Sequence, residues 1–391
     1  MSFFKLHDDS LLASVDIGSY EIRCAVFQKS DQLPLKILSW AEQKTLGIEN
    51  SHIVDFTSFT LALSEVLSQA EERCKSSFSD LYIGFSPSFY FSKSHGMAAL
   101  TRKEVLKQDL DLAIQTASAI PLPDKYICLH QRPDSFSVDS KEEIINPLGL
   151  SGLRLEVQLG LISVLKSFYQ DITRAVKTLG YKPRAVFHNL ISFGEHFTTQ
   201  EQKQNGVCFC DIGHKRTQII SYQKNKIQNM FSLPLGGWHL TQALTKQFNI
   251  SFSSAEELKQ EHGQVLFNSH REEENIEYSK ESIYFSRKIF SQCLEDVFEN
   301  LLKQIKSQLT EETMAQLSGG FVFTGSSSYI KGFQAFADFY LGQASSHKKS
   351  FYKNFKQDQN LALLQQAHLE NKLTKITKKQ VRPLSLIREL F

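Results

Sequence analysis

The sequence has no long hydrophobic run, no ordered cysteine pattern and almost no net charge. No segment reaches the roughly eighteen apolar residues that a membrane-spanning helix requires. Residues 1–9 have no long apolar stretch and include two early acids, which argues against a secretory signal. The six cysteines follow no metal or disulfide spacing, and we expect Cys208 and Cys210, two apart on one predicted strand, to be small buried hydrophobes. These absences favour a reducing, cytoplasmic compartment.

The net charge of +2 is unevenly distributed along the chain. Residues 371–391 carry six basic side chains against the single acid Glu389, so the rest of the chain is slightly acidic. A general nucleic-acid-binding protein needs a basic face on its folded body, and the composition gives no sign of one. We therefore expect no nucleic-acid partner and a separate role for the basic tail.

The tripeptide Asp-Ile-Gly occurs twice, at Asp16–Gly18 and Asp211–Gly213, and each copy separates two apolar runs. Apolar runs joined by such a tight glycine turn predict a β-hairpin. A chain of 391 residues is long enough for two or more domains with separate cores. Two similar hairpins about half a chain apart therefore indicate a duplicated α/β architecture.

Apolar spacing predicts the remaining elements. Helical spacing covers Thr57–Cys74, Leu165–Leu179, Ser254–His262 and Ser282–Leu309, and strand patterns cover Leu81–Phe85, Tyr126–His130, Phe136–Val138, Leu153–Leu159, Arg184–Leu190 and Phe321–Thr324. Thr101–Glu104 has the pattern of a capping box, which predicts a helix from there to about Ala119. The polar stretch His270–Glu277 predicts a loop, and the Lys-, Gln- and Asn-rich composition after Ser345 predicts a tail with a flexible linker at about 371–380.

Three glycine turns, at Asp16–Ser19, Asp211–His214 and Thr324–Ser327, have the composition of a nucleotide-binding cleft. Two hairpin turns that face each other can present backbone N–H groups to a polyphosphate, because glycine lets the backbone approach closely. The aspartate of each hairpin turn can hold Mg²⁺ through water, and the third turn can pack against an adenine. The alternative is that each aspartate only caps its own turn.

Several longer stretches extend this pattern. They are Asn146–Glu156 (Asn-Pro-Leu-Gly-Leu-Ser-Gly-Leu-Arg-Leu-Glu), Gly206–Gly213, Leu233–Thr241, Ser254–Gly263, Phe323–Ser326 and Ile330–Phe333. In this order they resemble the FtsA family of bacterial cell-division proteins, within the actin/Hsp70/hexokinase superfamily. The loop at Asn146–Gly152 is the most specific match, because it resembles a segment of the inserted subdomain peculiar to that family.

The resemblance implies an α/β, actin-like (ribonuclease H-like) duplicated two-domain fold with an inserted FtsA-type α+β subdomain. The expected units are a first actin-like subdomain at 1–85 and 162–203, the insertion at 86–161, a second actin-like subdomain at 204–245 and 310–345, a small subdomain at 246–309, a tail and linker at 346–380 and a membrane-targeting helix at 381–391. The implied partners are the C-terminal peptide of FtsZ, other copies of the chain in an actin-like filament, anionic inner-membrane lipid and later division proteins. The chain is then an adaptor for septal-ring assembly on the cytoplasmic face of the inner membrane, and not an enzyme.

By the same resemblance, ATP is the cofactor to consider, and its contacts fall in the glycine turns. The candidate residues are Asp16, Gly18, Ser19, Asp211, Gly213, His214, Lys215, Arg216, Gly236, Gly237, Thr324, Gly325 and Ser326. No residue is assigned a catalytic role. Asp16 and Asp211 are weak metal candidates, through water.

The cleft residues depart from the family pattern at five places. Glu21 replaces a lysine, and His214 and Lys215 bring large side chains where two glycines are usual. Gln218 replaces a second aspartate, Ala243 replaces an aspartate of the following helix, and Ser326 replaces a glycine. Together these changes predict lost or weakened Mg-ATP binding. Two alternatives stay open: Lys215 and Arg216 could bind phosphate without a metal, or ATP could bind in the ordinary way.

The last residues predict an amphipathic helix. Pro383 suits a first helical position, and the apolar side chains Leu384, Leu386, Ile387, Leu390 and Phe391 lie on or beside one face, with Arg382 and Arg388 on the other. So short a helix is unstable alone in water, so it needs an apolar partner surface. The upstream lysines favour anionic lipid, at about 1 kcal/mol per cation near the surface, with the apolar face in the interface plane. The alternative is a C-terminal helix docked on the body.

Two other functional classes share this sequence pattern. One is an ATP-dependent actin-like ATPase or small-molecule kinase, which needs intact phosphate loops and a catalytic acid. Glu21, Gln218 and Ala243 argue against it. The other is an actin-like scaffold of pilus or secretion type, which has no reason to carry the Asn146–Gly152 loop or the terminal amphipathic segment.

Overall fold

The first part of the chain forms a hairpin, a third strand, a helix and a parallel strand. The computed structural model describes residues 10–30, 35–266, 275–278, 283–347 and 355–378. The first elements are β1 (Leu11–Ile17), β2 (Glu21–Gln28), β3 (Ile37–Lys44), β4 (Ile48–Glu49), β5 (His52–Ile53), α1 (Phe56–Cys74) and β6 (Asp80–Phe85). Helix α1 begins where the Asp55 side chain accepts the Ser58 N–H, and it ends at Lys75 in the left-handed conformation. The predicted hairpin and helix of this region are confirmed.

The inserted subdomain is an antiparallel sheet with one helix packed on it. Its elements are β7 (Phe89–Ala99), α2 (Lys107–Ser118), β8 (Tyr126–Val138), β9 (Lys141–Ile144) and β10 (Arg154–Leu165). The strand order is β7-β10-β8-β9. Gly96 allows α2 to lie directly on the sheet, because a Cβ there would come within 2.1 Å of the Ala113 carbonyl.

The rest of the chain completes the first lobe and forms the second. Its elements are α3 (Lys166–Thr178), β11 (Lys182–His188), α4 (Asn189–Phe197), α5 (Gln200–Asn205), β12 (Val207–Ile212), β13 (Thr217–Gln223), β14 (Lys226–Leu233), α6 (Gly237–Phe248), α7 (Phe252–His262), β15 (Asn275–Tyr278), β16 (Ile283–Ser286), α8 (Arg287–Gln308), α9 (Glu311–Ala315), β17 (Phe321–Thr324), α10 (Phe333–Leu341), β18 (Ser345–Ser346) and α11 (Phe355–Lys378). A short 3₁₀ helix, Ser326–Tyr329, follows β17. Helix α4 was not predicted from the sequence.

The two lobes are built on sheets of the same topology. The first has the order β3-β2-β1-β6-β11 and the second β14-β13-β12-β17-β18. In each sheet three antiparallel strands are extended by parallel ones. The predicted duplicated α/β architecture, with an α+β subdomain inserted into its first half, is confirmed.

Separate hydrophobic cores support the lobes, and a third cluster lies between them. One core packs α1 and α3 on the first sheet, and another packs α6, α8 and α10 on the second. The intervening cluster joins α4, β12, β13 and α11 through side chains such as Phe193, Phe209 and Leu363. Phenylalanine supplies most of the largest fully buried side chains, so the phenylalanine-rich composition fills these cores. Cys208 and Cys210 are buried, as predicted.

The segment predicted as a tail and flexible linker, 346–380, contains helix α11 instead. Leu361, Ala362 and Leu363 are fully buried against the first lobe. The Asn360 side-chain amide donates to the Ser14 carbonyl at 3.0 Å. The prediction of a tail without a helix is wrong for residues 355–378, which include the first part of the predicted linker at 371–380. The polar composition concealed this short apolar face.

Helix α2 begins at Lys107 and not at the predicted capping box. The Val105 N–H donates to the Leu150 carbonyl, and the Lys103 carbonyl accepts the Gly152 N–H. Residues 101–105 therefore run beside the loop that precedes β10. The Leu106 N–H is instead bound by the Asp109 carboxylate at 2.9 Å. Pairing with a distant loop overrides the local capping pattern.

Three further predictions change for similar reasons. Residues 275–277 form part of β15, which pairs with β16, so α8 begins at Arg287 rather than Ser282. The two strands predicted at 126–130 and 136–138 form the single strand β8, in which Pro133 pairs with Leu159.

The packing of α11 on the first lobe predicts a stability effect. Leu363 is fully buried, and its methyl groups lie over Gly84 of β6. Leu363→Ala should lower the free energy of unfolding by about 2–4 kcal/mol, because the lobe cannot close fully around the lost volume. Urea unfolding measures the effect.

Leu61→Ala is the matched control, because Leu61 is 57% exposed on α1. This control should change the free energy of unfolding by less than about 0.5 kcal/mol. Equal losses in the two variants would contradict the docking of α11.

Candidate functional site

The two lobes enclose a cavity of about 700 Å³. It is lined by the β1–β2 and β12–β13 turns, the turn after β17, one face of α7 and the start of α11. The predicted residues that line it are Asp16, Gly18, Ser19, Asp211, Gly213, His214, Lys215, Arg216, Gly237, Gly325 and Ser326. Gly236 and Thr324 lie directly beside lining residues in the chain. The fold therefore brings all three predicted turns to one cleft.

Two glycines are required by close backbone approaches in this cleft. Gly325 has φ +89°, and a Cβ there would come within 2.2 Å of the Ile212 carbonyl. A Cβ on Gly236 would come within 2.4 Å of the Gly213 carbonyl. The N-terminal donors of α6 are already bound, because Gly237 N–H donates to the Gly213 carbonyl and Trp238 N–H to the His214 carbonyl.

Asp16 is fully buried and paired with a cation of its own hairpin. The Arg23 guanidinium lies 2.6 Å from Oδ2 of Asp16, and the Asn189 amide donates to Oδ1 at 2.6 Å. Arg23 stands directly opposite Asp16 on β2. Burial raises the pKa of Asp16, while Arg23 and Asn189 oppose that shift. Asp16 is therefore a carboxylate held by protein partners.

Asp211 is the equivalent residue of the second hairpin, and Gln218 stands opposite it. Oδ1 of Asp211 has no hydrogen-bond partner among the described residues. Burial, with a smaller contribution from the nearby Asp16 charge, raises the pKa of Asp211 to about 7. The Gln218 amide donates to the Pro87 carbonyl at 3.0 Å. The second hairpin therefore lacks the cation that balances the first.

Side chains of the chain itself bridge the cleft. The rings of Tyr20 and His214, one from each hairpin turn, have centroids 4.6 Å apart. Burial lowers the pKa of His214 to about 4, so its imidazole is neutral at pH 7. Arg216 Nη1 donates to the Ser88 hydroxyl at 2.6 Å. The two turns thus contact each other directly.

Other charged residues of the cleft were missed from the sequence. Lys356 of α11 forms ion pairs with Glu21 at 2.7 Å and with Glu42 at 3.2 Å. Glu21, which replaces the usual lysine, therefore faces a cation supplied by the C-terminal helix. No sequence signal linked these positions, because α11 lies more than three hundred residues away in the chain.

Glu256 and Lys259 form a second charged pair in the lining. Lys259 Nζ lies 2.7 Å from Glu256, and it donates to the Thr241 hydroxyl at 2.8 Å and the Gly237 carbonyl at 3.1 Å. Their three-residue spacing within the run Ser254–Gly263 was the signal that could have identified them. Ala243 is not among the lining residues.

Two observations bear on metal and membrane predictions. Within the part of the chain that the structure describes, no three His, Cys, Asp or Glu side chains gather as a metal site would. No helix of that part is both long and apolar enough to cross a membrane. The predicted membrane residues, Arg382 to Phe391, lie outside the described residues.

Comparison with solved structures identifies the fold. A PilM–PilN type IV pilus biogenesis complex matches with a TM-score of 0.60 and 13% identity over 86% of this chain and 87% of that chain. MreB5 of Spiroplasma citri bound to ADP matches with a TM-score of 0.56 and 10% identity over 95% of this chain and 99% of that chain. Such low identities show the fold alone. The fold is actin-like, with two lobes around a cleft.

Comparisons with protein-family models and with individual relatives identify the family. The model "SHS2 domain inserted in FTSA" matches residues 88–163, and "Cell division protein FtsA" matches residues 208–373. FtsA of Buchnera aphidicola (subsp. Baizongia pistaciae) is 26% identical, and FtsA of Escherichia coli K12 is 25% identical, each over 85% of this chain and 82% of the relative. FtsA of Bacillus subtilis is 23% identical over 85% of this chain and 77% of the relative.

The chain belongs to the FtsA family of cell-division proteins. The predicted family and the actin-like fold with its inserted subdomain are confirmed. The relatives support a role in cell division.

The raised pKa of Asp211 predicts a pH-dependent stability effect. Its pKa is about 7 in the folded state, whereas the ordinary value is 3.8. Between pH 3.8 and about pH 7 the folded state therefore binds more protons than the unfolded state. Asp211 therefore lowers the free energy of unfolding progressively as pH rises from about 4 to about 7. Above about pH 7 the buried carboxylate is ionised and its full destabilising effect is present. Asp211→Asn removes this penalty. Its stability advantage over the unaltered protein should be about 2 kcal/mol larger at pH 8 than at pH 5.

Thermal unfolding of both proteins at the two pH values measures this difference. Asp80→Asn is the control, because Asp80 is half exposed and 3.9 Å from Arg184. The same pH profile for both variants would show that Asp211 ionises normally in the fold.

Proposed function

We propose that this chain is a cell-division adaptor that polymerises on the cytoplasmic face of the inner membrane and anchors FtsZ filaments during septal-ring assembly. The observation that carries the proposal is the combination of an actin-like frame, an FtsA-type insertion and a basic amphipathic segment at residues 381–391. The frame suits assembly into a filament of identical copies. The last residues suit attachment to lipid.

The docking of α11 supports a short tether between body and membrane. Asp358, Asn360 and Leu363 of this helix are fully buried in the first lobe. Helix α11 ends at Lys378, so only residues 379 and 380 separate it from the amphipathic segment 381–391. One such segment binds anionic lipid weakly, because it is short. A filament that presents many copies multiplies this attachment through avidity.

The remaining partners follow from the family. We propose that the chain binds the C-terminal peptide of FtsZ, other copies of itself and later division proteins. Relatives named as cell-division protein FtsA cover most of the chain and support these assignments. An adaptor of this kind works by holding partners together and needs no chemical turnover of its own.

We further propose that the nucleotide site no longer performs Mg-ATP chemistry. The described residues fit Mg²⁺ poorly. Both Asp16 carboxylate oxygens already face Arg23 or Asn189. On the opposing hairpin the Asp211 carboxyl is the one acid of the turn, because the residue opposite it is Gln218 and not a second carboxylate. Hard divalent cations need several free oxygen ligands. The contact between Tyr20 and His214 also crosses the gap in which two phosphate-binding turns would hold a polyphosphate.

Removal of residues 381–391 tests the membrane role. The truncated protein should lose most of its sedimentation with vesicles of anionic phospholipid, because the apolar face and its flanking arginines are gone. Liposome co-sedimentation at physiological salt measures the change. Undiminished binding of the truncated protein would disprove the anchor.

A charge variant and a peptide assay provide the controls. Ile387→Asp should reduce vesicle binding as the deletion does, whereas Ser385→Ala on the polar side should not. Both proteins should still capture an immobilised FtsZ C-terminal peptide, because the folded body is unchanged. Failure of the unaltered protein to bind this peptide would favour a pilus- or secretion-type scaffold.

Calorimetric titration with Mg-ATP tests the nucleotide proposal. We expect no binding at micromolar concentrations and no phosphate release, because Asp16 is already paired with Arg23 and Asn189, and the Tyr20 and His214 rings lie between the two turns. Micromolar binding accompanied by turnover would instead identify an active ATPase.

A further inference from the structure

The two hairpins of the cleft are equivalent in backbone but not in charge. In each hairpin the aspartate of the Asp-Ile-Gly turn pairs across the strands with the residue seven positions later, which is Arg23 for Asp16 and Gln218 for Asp211. The duplicated frame therefore places these two residues at matching positions, beside the two carboxyl groups. Only the first hairpin places a cation there.

Arg23 lies in the lining of the cleft, and its two terminal nitrogens contact Asp16 and α11. Its side chain is 12% exposed, and its Nη2 lies 2.6 Å from Oδ2 of Asp16. Nη1 donates to the side chain of Gln359 on α11, and Nε lies 3.7 Å from Glu21. The guanidinium is thus positioned by two strands and by the C-terminal helix. Arginine suits such a position because its planar group binds several acceptors at once and stays charged.

These contacts use the groups that a divalent cation would need. Oδ1 of Asp16 accepts from Asn189, and Oδ2 faces Arg23. Lys356 neutralises Glu21, the nearest further acid, at 2.7 Å. A metal ion arriving here would meet a fixed positive charge and no unpaired carboxylate on the first hairpin.

We propose that Arg23 is the resident cation of this cleft, and that it excludes divalent metal ions from the site beside Asp16. This inference rests on the proposed loss of Mg-ATP chemistry and names its cause. Arg23 compensates the buried Asp16 charge without any ligand. The Asp16 carboxylate is thereby part of the packing between β1, β2 and α11.

Binding of Mn²⁺ to the full-length chain, followed by electron paramagnetic resonance without nucleotide, tests this proposal. The unaltered protein should show no saturable Mn²⁺ site that depends on Asp16. Arg23→Met keeps an unbranched stem but removes the charge. It should gain a saturable Mn²⁺ site, with an apparent affinity at least about tenfold above any residual Mn²⁺ binding by the unaltered protein. Adding Asp16→Asn to this variant should abolish the gain.

Two controls keep the result interpretable. Arg23→Lys retains the charge and should gain no Mn²⁺ site. Arg154→Met removes an exposed ion pair with Glu156 on the inserted subdomain, and it too should gain none. Circular dichroism reports whether each variant folds. If Arg23→Met does not fold, Arg23→Gln, which also removes the charge but keeps an amide that can bind Gln359, takes its place in the same assay.

Two results would overturn the proposal. One is saturable Mn²⁺ binding by the unaltered protein that Asp16→Asn abolishes, and the other is a folded Arg23→Met variant that gains no site. Neither result depends on vesicle or FtsZ-peptide binding. Failure of this inference is therefore distinguishable from failure of the proposed adaptor function.

Discussion

The buried ion pair between Asp16 and Arg23 determines the chemistry of the cleft. It lies at the centre of the first sheet, where Asp16 is fully buried and the Arg23 side chain is 12% exposed to the cleft. Removing one partner from such a pair typically costs about 3–5 kcal/mol, because the other is left buried and uncompensated. The pair also recruits Asn189 of α4 and Gln359 of α11. One cross-strand contact thus links the first hairpin to two helices that pack on the sheet.

Contacts within the chain also join the two sides of the cleft. Arg216 and Gln218, which replace family residues expected to face a nucleotide, donate to the loop at Pro87–Ser88 instead. The Tyr20 and His214 rings pack where the two turns meet. The departures from the family pattern are therefore not isolated losses, because most of them have acquired partners within the fold. This conversion of ligand-facing groups into internal contacts agrees with the proposed adaptor, which needs a stable body more than a reactive site.

Helix α11 connects this body to the proposed membrane segment. Its first half supplies Lys356, Gln359 and Asn360 to the cleft and the first sheet, and its end precedes residues 381–391 by only two residues. A flexible linker would let the body move freely relative to lipid. A docked helix instead fixes where the tail leaves the first lobe, and a filament of such bodies would present its tails in a regular array.

The sequence alone determined the duplicated hairpins, the inserted subdomain and the three turns of the cleft, because these depend on local apolar spacing and on glycine at sharp turns. The family followed from the resemblance of stretches such as Asn146–Gly152. It also marked Glu21, Gln218 and the segment 214–216 as departures. Only the tertiary structure decided what two of those departures do: Glu21 faces Lys356, and Gln218 donates to the Pro87 carbonyl. It also revealed that Arg23 neutralises Asp16. It also decided that 355–378 is a helix and that α2 begins after its apparent cap. The physical reason is that partners far apart in the chain, brought together by burial, determine each of these outcomes, and no local pattern encodes them.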